Sequence, residues 1–152
     1  MEYTCGIYLF NINTKKFLIG HVTNTKGAFS IPKGCHDETD KDFFETAKRE
    51  LLEETNINLD DLNVVSITEM ENFSYKDRIL VSFLILIDEA PGSLNNIRCT
   101  SMFINKRGVE EPEIDFFKWV TIHEANFYLP ISQRSNLERI RAIVNNIDTV
   151  TY

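Results

Sequence analysis

Apolar residues along this chain fall into runs of two periods. "YTCGIYLFNI" and "KFLIGHVT" are rich in β-branched and aromatic residues, and the polar "NTK" between them predicts a hairpin over Tyr3–Thr23. "AFSIPKG" reads as a short extended piece, because Pro32 disfavours helix at Ile31 and Gly34 frees the backbone to turn. From Asp42 to Thr55 the spacing becomes helical. Phe43, Phe44, Ala47, Leu51 and Leu52 supply the apolar side, Asp42 is placed to cap, and Glu45 three residues on completes a capping-box spacing. "LNVVSITEM" and "ILVSFLILI" are predicted strands, the second so uniformly apolar that burial on both faces is expected. Asp88–Glu113 is loop-rich with a short strand at "TSMFI". "IDFFKWVTI" is a late strand, and "IHEANFYL" and "SQRSNLERIRAIVNNI" read as helices, with Leu137, Ile140 and Val144 on one side of the last. The elements run strands, helix, strands, helices, which predicts an α/β fold.

Composition narrows the classes. The 152 residues, 43% hydrophobic and 26% charged, have the size and balance of one globular domain, residues 1–152. A formal net charge of -7 without a basic run argues against nucleic-acid binding by general attraction. Cys5, Cys35 and Cys99 are odd in number and widely spaced, which predicts neither a disulfide framework nor a zinc site. With no apolar run of membrane-spanning length and no signal-peptide pattern in "MEYTCGIYLF", a cytoplasmic protein without membrane contact is expected.

The chemistry concentrates in "KGCHDETDKDFFETAKRELLEETNI", Lys33–Ile57. At helical spacing Glu50, Glu53 and Glu54 share one face, where like charges cost an isolated helix roughly 0.2–0.5 kcal/mol per pair. Either the face is simply solvated, or a hard divalent cation compensates the charge.

The stretch resembles the Nudix hydrolase signature, G-x5-E-x7-R-E-U-x-E-E-x-G-U, where U is aliphatic. Gly34 opens it, and Arg49, Glu50, Leu51, Glu53, Glu54 and Ile57 match position for position. "FSIPKG" looks like the entry to this box in members that cleave dinucleoside polyphosphates. Glu113 stands ahead of Trp119 at a spacing similar to that of a downstream metal-binding or basic glutamate in many Nudix proteins. The resemblance covers roughly Tyr3 to Leu129. Two positions depart from it. The loop is one residue longer, so the first glutamate of the signature falls on Lys41 or Asp40, and Asp40 or Glu38 is expected to stand in. Asn56 replaces the closing glycine, and Asn tolerates the left-handed backbone that glycine supplies.

The resemblance implies an α/β/α sandwich with a mixed sheet and a metal-dependent pyrophosphohydrolase. Its substrate is expected to be a nucleoside diphosphate linked to another moiety, with dinucleoside polyphosphates and ADP-ribose-like compounds leading. It implies that Glu50, Glu53, Glu54, Glu113 and the Gly34 carbonyl hold Mg²⁺ or Mn²⁺, and that Arg49 orients the glutamates. Glu53, or else Glu113, is expected to act as base. Lys33 is placed to neutralise phosphate, and Phe73 and Tyr75, expected in a loop between strands, to stack a base. The alternatives are an enzyme acting on an RNA 5′ end, by pyrophosphate removal or decapping, and a Nudix module that binds a nucleotide without cleaving it. Both monomer and homodimer are compatible with the sequence. His21 and His36, lacking partner spacing, read as structural or exposed.

Overall fold

The computed structural model describes residues 1–148. β1 (Glu2–Asn11) and β2 (Lys16–Val22) form the hairpin predicted from the first two runs, with Phe10 opposite Phe17. Next come two short strands, β3 (Phe29–Ser30) and β4 (Lys33–Cys35), and helix α1 (Phe43–Thr55). β5 (Val64–Glu69), β6 (Phe73–Tyr75) and β7 (Arg78–Ile87) follow. β7 lies parallel to β1 from Glu2 opposite Arg78 to Asn11 opposite Ile87. A parallel pair needs a long crossover, and the segment holding α1 supplies it. β8 (Met102–Ile104) and β9 (Glu110–Pro112) make a separate two-stranded arm, and β10 (Ile114–Val120) returns to the main sheet. The sheet order is β10-β2-β1-β7-β5, with the short strands β3, β4 and β6 attached to β2, β1 and β7.

The central pair β1 and β7 is apolar on both faces, as its sequence required. Ile7, Leu9, Phe83 and Ile85 face a core shared with Ala47 and Leu51 of α1. Tyr8, Phe10, Leu84 and Leu86 face the opposite core, closed by Ile122 and Ala125 of α2 (Ile122–Tyr128) and Ile140 of α4 (Leu137–Asp148). The result is the expected α/β/α sandwich. None of the described helices is long and apolar enough to cross a membrane.

Tertiary contacts account for the departures from the sequence pattern. The final helix is divided into α3 (Ile131–Arg134) and α4 because the turn between them is tied into the sheet. There Tyr8 donates to the Gln133 carbonyl at 2.7 Å, and the Asn136 amide donates to the Glu71 carbonyl and the Ser82 hydroxyl. β10 ends two residues before the predicted strand does, since Thr121 and Glu124 form a full capping box on α2. Leu52 does not join the apolar side of α1; it is 42% exposed. Phe73 and Tyr75 lie on β6 rather than in a loop, paired with Leu80 and Arg78.

The Asp42 side chain caps α1 by accepting from the Glu45 amide at 2.8 Å. Asn56 ends it at φ 65° and ψ 17°, its N–H returned to the Leu52 carbonyl. Asn tolerates this left-handed cap better than other residues with a Cβ, and the Asn56 side chain also donates to the distant Asn96 carbonyl at 3.2 Å, tying the helix end to that loop. Replacing Asn56 by Ala is expected to lower stability by about 1 kcal/mol, with Gly closer to wild type, as read from urea midpoints.

Candidate active site

The inward stripe of α1 reads Thr46, Ala47, Glu50, Leu51, Glu54 and Thr55. Two glutamates thus sit where a helix packed on a sheet normally buries apolar side chains. β4 makes this possible. It pairs with β1, Gly34 opposite Cys5, and lies beside α1. At Gly34 a methyl group would overlap the Glu50 carboxylate, so any side chain there would have to displace Glu50 from its place. The left-handed freedom expected of Gly34 is not used, since Gly34 is not among the positive-φ glycines. The amide of Lys33 donates to Glu54 Oε1 at 3.1 Å.

Arg49 organises the outer part of the cluster. Its Nε and Nη2 grip Asp40 Oδ1 and Oδ2 at 3.0 and 2.9 Å, and Nη1 donates to Glu50 Oε1 at 3.0 Å and to Glu53 Oε1 at 3.1 Å. Nη2 also reaches the Cys35 carbonyl at 3.2 Å. Asp40 is therefore the acid of the lengthened loop that meets the arginine, whereas Glu38 and Lys41 are exposed. The Arg49 guanidinium holds the Asp40 carboxyl well below the usual carboxylate range, helped by the amide of Asp37 and the hydroxyl of Thr46.

Burial acts the other way on the inner glutamates. It pushes Glu50 up to about 7, with the Glu53 charge adding to the effect, and Glu54 up to about 8, only partly countered by the Lys33 amide. Both carboxylates are held in the protein without enough positive charge to stabilise their ionised forms.

Glu113, about sixty residues further along the chain, reaches the same place through a relay of main-chain bonds. The Glu53 carbonyl, near the C-terminal end of α1, accepts from the amides of Thr100 and Ser101 at 2.7 and 3.2 Å. Ser101 accepts from the Glu113 amide at 2.9 Å, and the Glu113 carbonyl accepts from Thr23 at 3.0 Å. The resulting cleft, of about 520 Å³, is lined by Lys33, Gly34, Glu50, Glu54, Glu113 and Phe103, among others. Glu53 is not part of that lining; it joins through Arg49 and keeps its side chain 40% exposed. Phe73, Tyr75 and Arg78 border a neighbouring recess of about 130 Å³ that shares Lys33 with the cleft.

Among the described residues no three Asp, Glu, His or Cys side chains converge closely enough to hold an ion as they lie. The donor set still fits a hard divalent cation. It is all oxygen, two of its carboxylates are buried and undercompensated, and the glycine leaves their neighbourhood clear of side chain. The histidines stay outside this chemistry. His21 meets Asp115 at 2.7 Å and stacks on Phe116, and His36 meets Thr46 at 2.6 Å. Sequence reasoning did not single out Thr23, Ser101 or Phe103, which line the cleft; as ordinary residues of loop and short strand they carried no signal of their own.

A glycine strand packed on a helix whose inward stripe is acidic defines a class, and the comparisons agree with it. Residues 2–140 match the family model described as NUDIX domain, and the chain belongs to that family, whose enzymes are pyrophosphohydrolases that generally require divalent metal ions. Over 121 residues it is 32% identical to an uncharacterized 17.7 kDa protein from the e-segB intergenic region of Enterobacteria phage T4, covering 72% of this chain and 76% of that one. An Ap4A hydrolase of C. elegans, solved as a binary complex, has a TM-score of 0.71 at 17% identity over 94% of this chain and 98% of its own. The NUDIX domain of NrtR from Shewanella oneidensis, solved with ADP ribose, has a TM-score of 0.64 at 17% identity over 93% and 87%. At these identities both structures establish the shared fold.

The raised inner glutamates fix a sign for the pH dependence. Glutamate ionises near 4.5 in the unfolded chain, but near 7 and 8 at Glu50 and Glu54 in the fold. Their contribution to stability is therefore fully present below 4.5 and is lost as pH rises toward 8. Urea midpoints of the metal-free protein should fall across that interval, and the fall should be shallower in Glu54→Gln. A midpoint that climbs over the same interval contradicts the assignment.

Proposed function

We propose that this chain hydrolyses a pyrophosphate bond in a nucleoside diphosphate linked to a second moiety, using Mg²⁺ or Mn²⁺, in the cytoplasm. The observation that carries the reading is the pair of buried, undercompensated carboxylates, Glu50 and Glu54, set against Gly34 in an open cleft. Dinucleoside polyphosphates and ADP-ribose-like compounds lead as substrates. Solved relatives of the same fold are an Ap4A hydrolase and a domain complexed with ADP ribose, and "SIPKG" leads directly into the cleft.

Glu50, Glu54, Glu113 and the Gly34 carbonyl are the groups that would hold the ion, with Glu53 at the margin. When bound, a divalent ion there supplies charge neutralisation of the pyrophosphate and lowers the pKa of a water. Arg49 fixes Glu50 and Glu53 by charge-assisted hydrogen bonds and is itself fixed by Asp40, so it acts by positioning. Glu53, the most open of the box glutamates, accepts the proton of the attacking water at a carboxylate oxygen, with Glu113 as the second choice for that role. The Lys33 ammonium pairs with phosphate oxygens between the cleft and the adjoining recess, where Phe73 and Tyr75 offer faces to a base. An extended RNA is disfavoured by the net charge of -7, which leaves a 5′ end as the smaller alternative.

Incubation with a panel of nucleoside diphosphate derivatives, with and without Mg²⁺ or Mn²⁺, should show metal-dependent turnover. Binding without turnover of any compound would instead establish a sensing module. Glu53→Gln should abolish turnover with its melting temperature retained, and undiminished activity removes Glu53 from the role of base. Asp40→Asn should reduce turnover by about 10–100-fold through loosening of Arg49.

A further inference from the structure

Behind the cleft lies a buried hydroxyl that the proposed reaction does not use. Thr46 stands on the inward stripe of α1, fully buried, one helical turn before Glu50. Its Oγ1 meets His36 Nδ1 at 2.6 Å and Asp40 Oδ2 at 2.9 Å, with the Asp42 carbonyl slightly farther at 3.2 Å.

The proton count gives these bonds a direction. A hydroxyl donates one proton and an ionised carboxylate only accepts, so Thr46 donates to Asp40 and the Nδ1–H of His36 donates to Thr46. Asp40 Oδ2 then takes three bonds, from Thr46, from the Asp37 amide at 3.0 Å and from Arg49 Nη2 at 2.9 Å, while Oδ1 takes Arg49 Nε at 3.0 Å. Past Asp40 the chain of bonds runs through Arg49 Nη1 to Glu50 and Glu53. Its other end is fixed on the sheet. The His36 amide donates to the Tyr3 carbonyl of β1 at 2.9 Å, and the His36 ring stands edge-on to Phe43, which stacks on Tyr3.

The lengthened loop shows why such an anchor matters. Residues 37–39 are exposed, and the loop bonds largely within itself, Asp40 N–H to the Asp37 carbonyl and Thr39 to the Asp37 carboxylate. Bonds inside a loop cannot set its place against a helix. The side chains of α1 that reach Asp40 are Arg49 and Thr46, and Arg49, 35% exposed, is itself the group to be held. Thr46 is the fixed point.

We propose that Thr46, with His36 behind it, is a positioning residue for the metal ligands: the pair anchors Asp40, Asp40 holds Arg49, and Arg49 sets Glu50 and Glu53. The proposal rests on the metal site of the pyrophosphohydrolase reading and adds to it two residues that touch neither ion nor substrate.

The test reads the arginine and the ligands separately. Hydrogen exchange of the Arg49 Nε–H, followed by NMR in the metal-free protein, reports how firmly Asp40 holds the guanidinium, and calorimetric titration gives the Mn²⁺ affinity. Thr46→Val keeps the shape and removes the hydroxyl. It should speed the exchange by about tenfold, as the loss of one hydrogen bond allows. It should also weaken Mn²⁺ by about three- to tenfold, at the lower end of what outer partners of ligands contribute, and Thr46→Ser should restore both. His36→Phe, which keeps a ring against Phe43, should move both readouts the same way, whereas His36→Asn, with an N–H in place of Nδ1–H, should move neither. In an Asp40→Ala background Thr46→Val should cost nothing further, because its effect passes through Asp40. Melting temperatures report that each variant is folded, and His36→Phe carries the test should Thr46→Val fail to fold. Unchanged exchange in Thr46→Val and His36→Phe overturns the relay. So does a further loss of Mn²⁺ affinity in the Asp40→Ala background, or faster exchange with Mn²⁺ affinity intact. Absence of Mn²⁺ binding by wild type removes the metal reading and this proposal with it, and the exchange, read without metal, tells that failure from a failure of the relay.

Discussion

The site depends on one close approach, the Glu50 carboxylate against the bare backbone of Gly34. A side chain at position 34 would need the volume that the carboxylate occupies, so only glycine leaves Glu50 where it lies. That contact sets how deeply Glu50 is buried and brings the Lys33 amide within reach of Glu54. The fold supplies the force that holds the two elements together. Ala47 and Leu51, on the same stripe of α1, pack against strands β1 and β7, and the acids are carried inward with them. Two carboxylates held this way are poor ions on their own, and the proposed divalent-cation site rests on that.

Around this contact the charge is arranged in two layers. The outer layer, Asp40 with Arg49, is saturated: the guanidinium donates to Asp40, Glu50 and Glu53 and to the Cys35 carbonyl. The inner layer, Glu50 and Glu54, is left wanting. Glu50 and Glu54 accept hydrogen bonds from Arg49 and the Lys33 amide, yet burial still raises both, which sets them apart from the fully compensated Asp40. Glu113 joins by a different route, a relay of backbone bonds from the end of α1 through Ser101, so its position depends on the helix although the chain between them is long.

Local rules made much of this visible in the sequence. The almost uniformly apolar "ILVSFLILI" announced a strand buried on both faces, and the spacing from Arg49 to Ile57 announced an acidic helix ending in a left-handed cap at Asn56. Long-range causes were hidden. Gly34 was read as a turning residue because its sequence neighbours say nothing of the carboxylate that packs on it. Leu52 was read into the core because helical spacing alone does not mark which edge of an apolar stripe the sheet covers. The break between α3 and α4 comes from Gln133 and Asn136 reaching strands more than fifty residues away. The β8–β9 arm was half legible: "TSMFI" was read as a strand, but its partner, Glu110–Pro112, pairs without apolar periodicity and contains a proline. Counting places the signature's first acid on Lys41 or Asp40, with Asp40 or Glu38 as the stand-in, and only the fold brings Asp40 to Arg49.

The account is tested most directly by calorimetric titration of Mn²⁺ into the wild-type protein and into Glu50→Gln, both shown to be folded. It predicts saturable binding by wild type that is weakened at least about tenfold when the buried carboxylate is neutralised, as the loss of a charged ligand requires. Superimposable isotherms, or no binding by either protein, would contradict it.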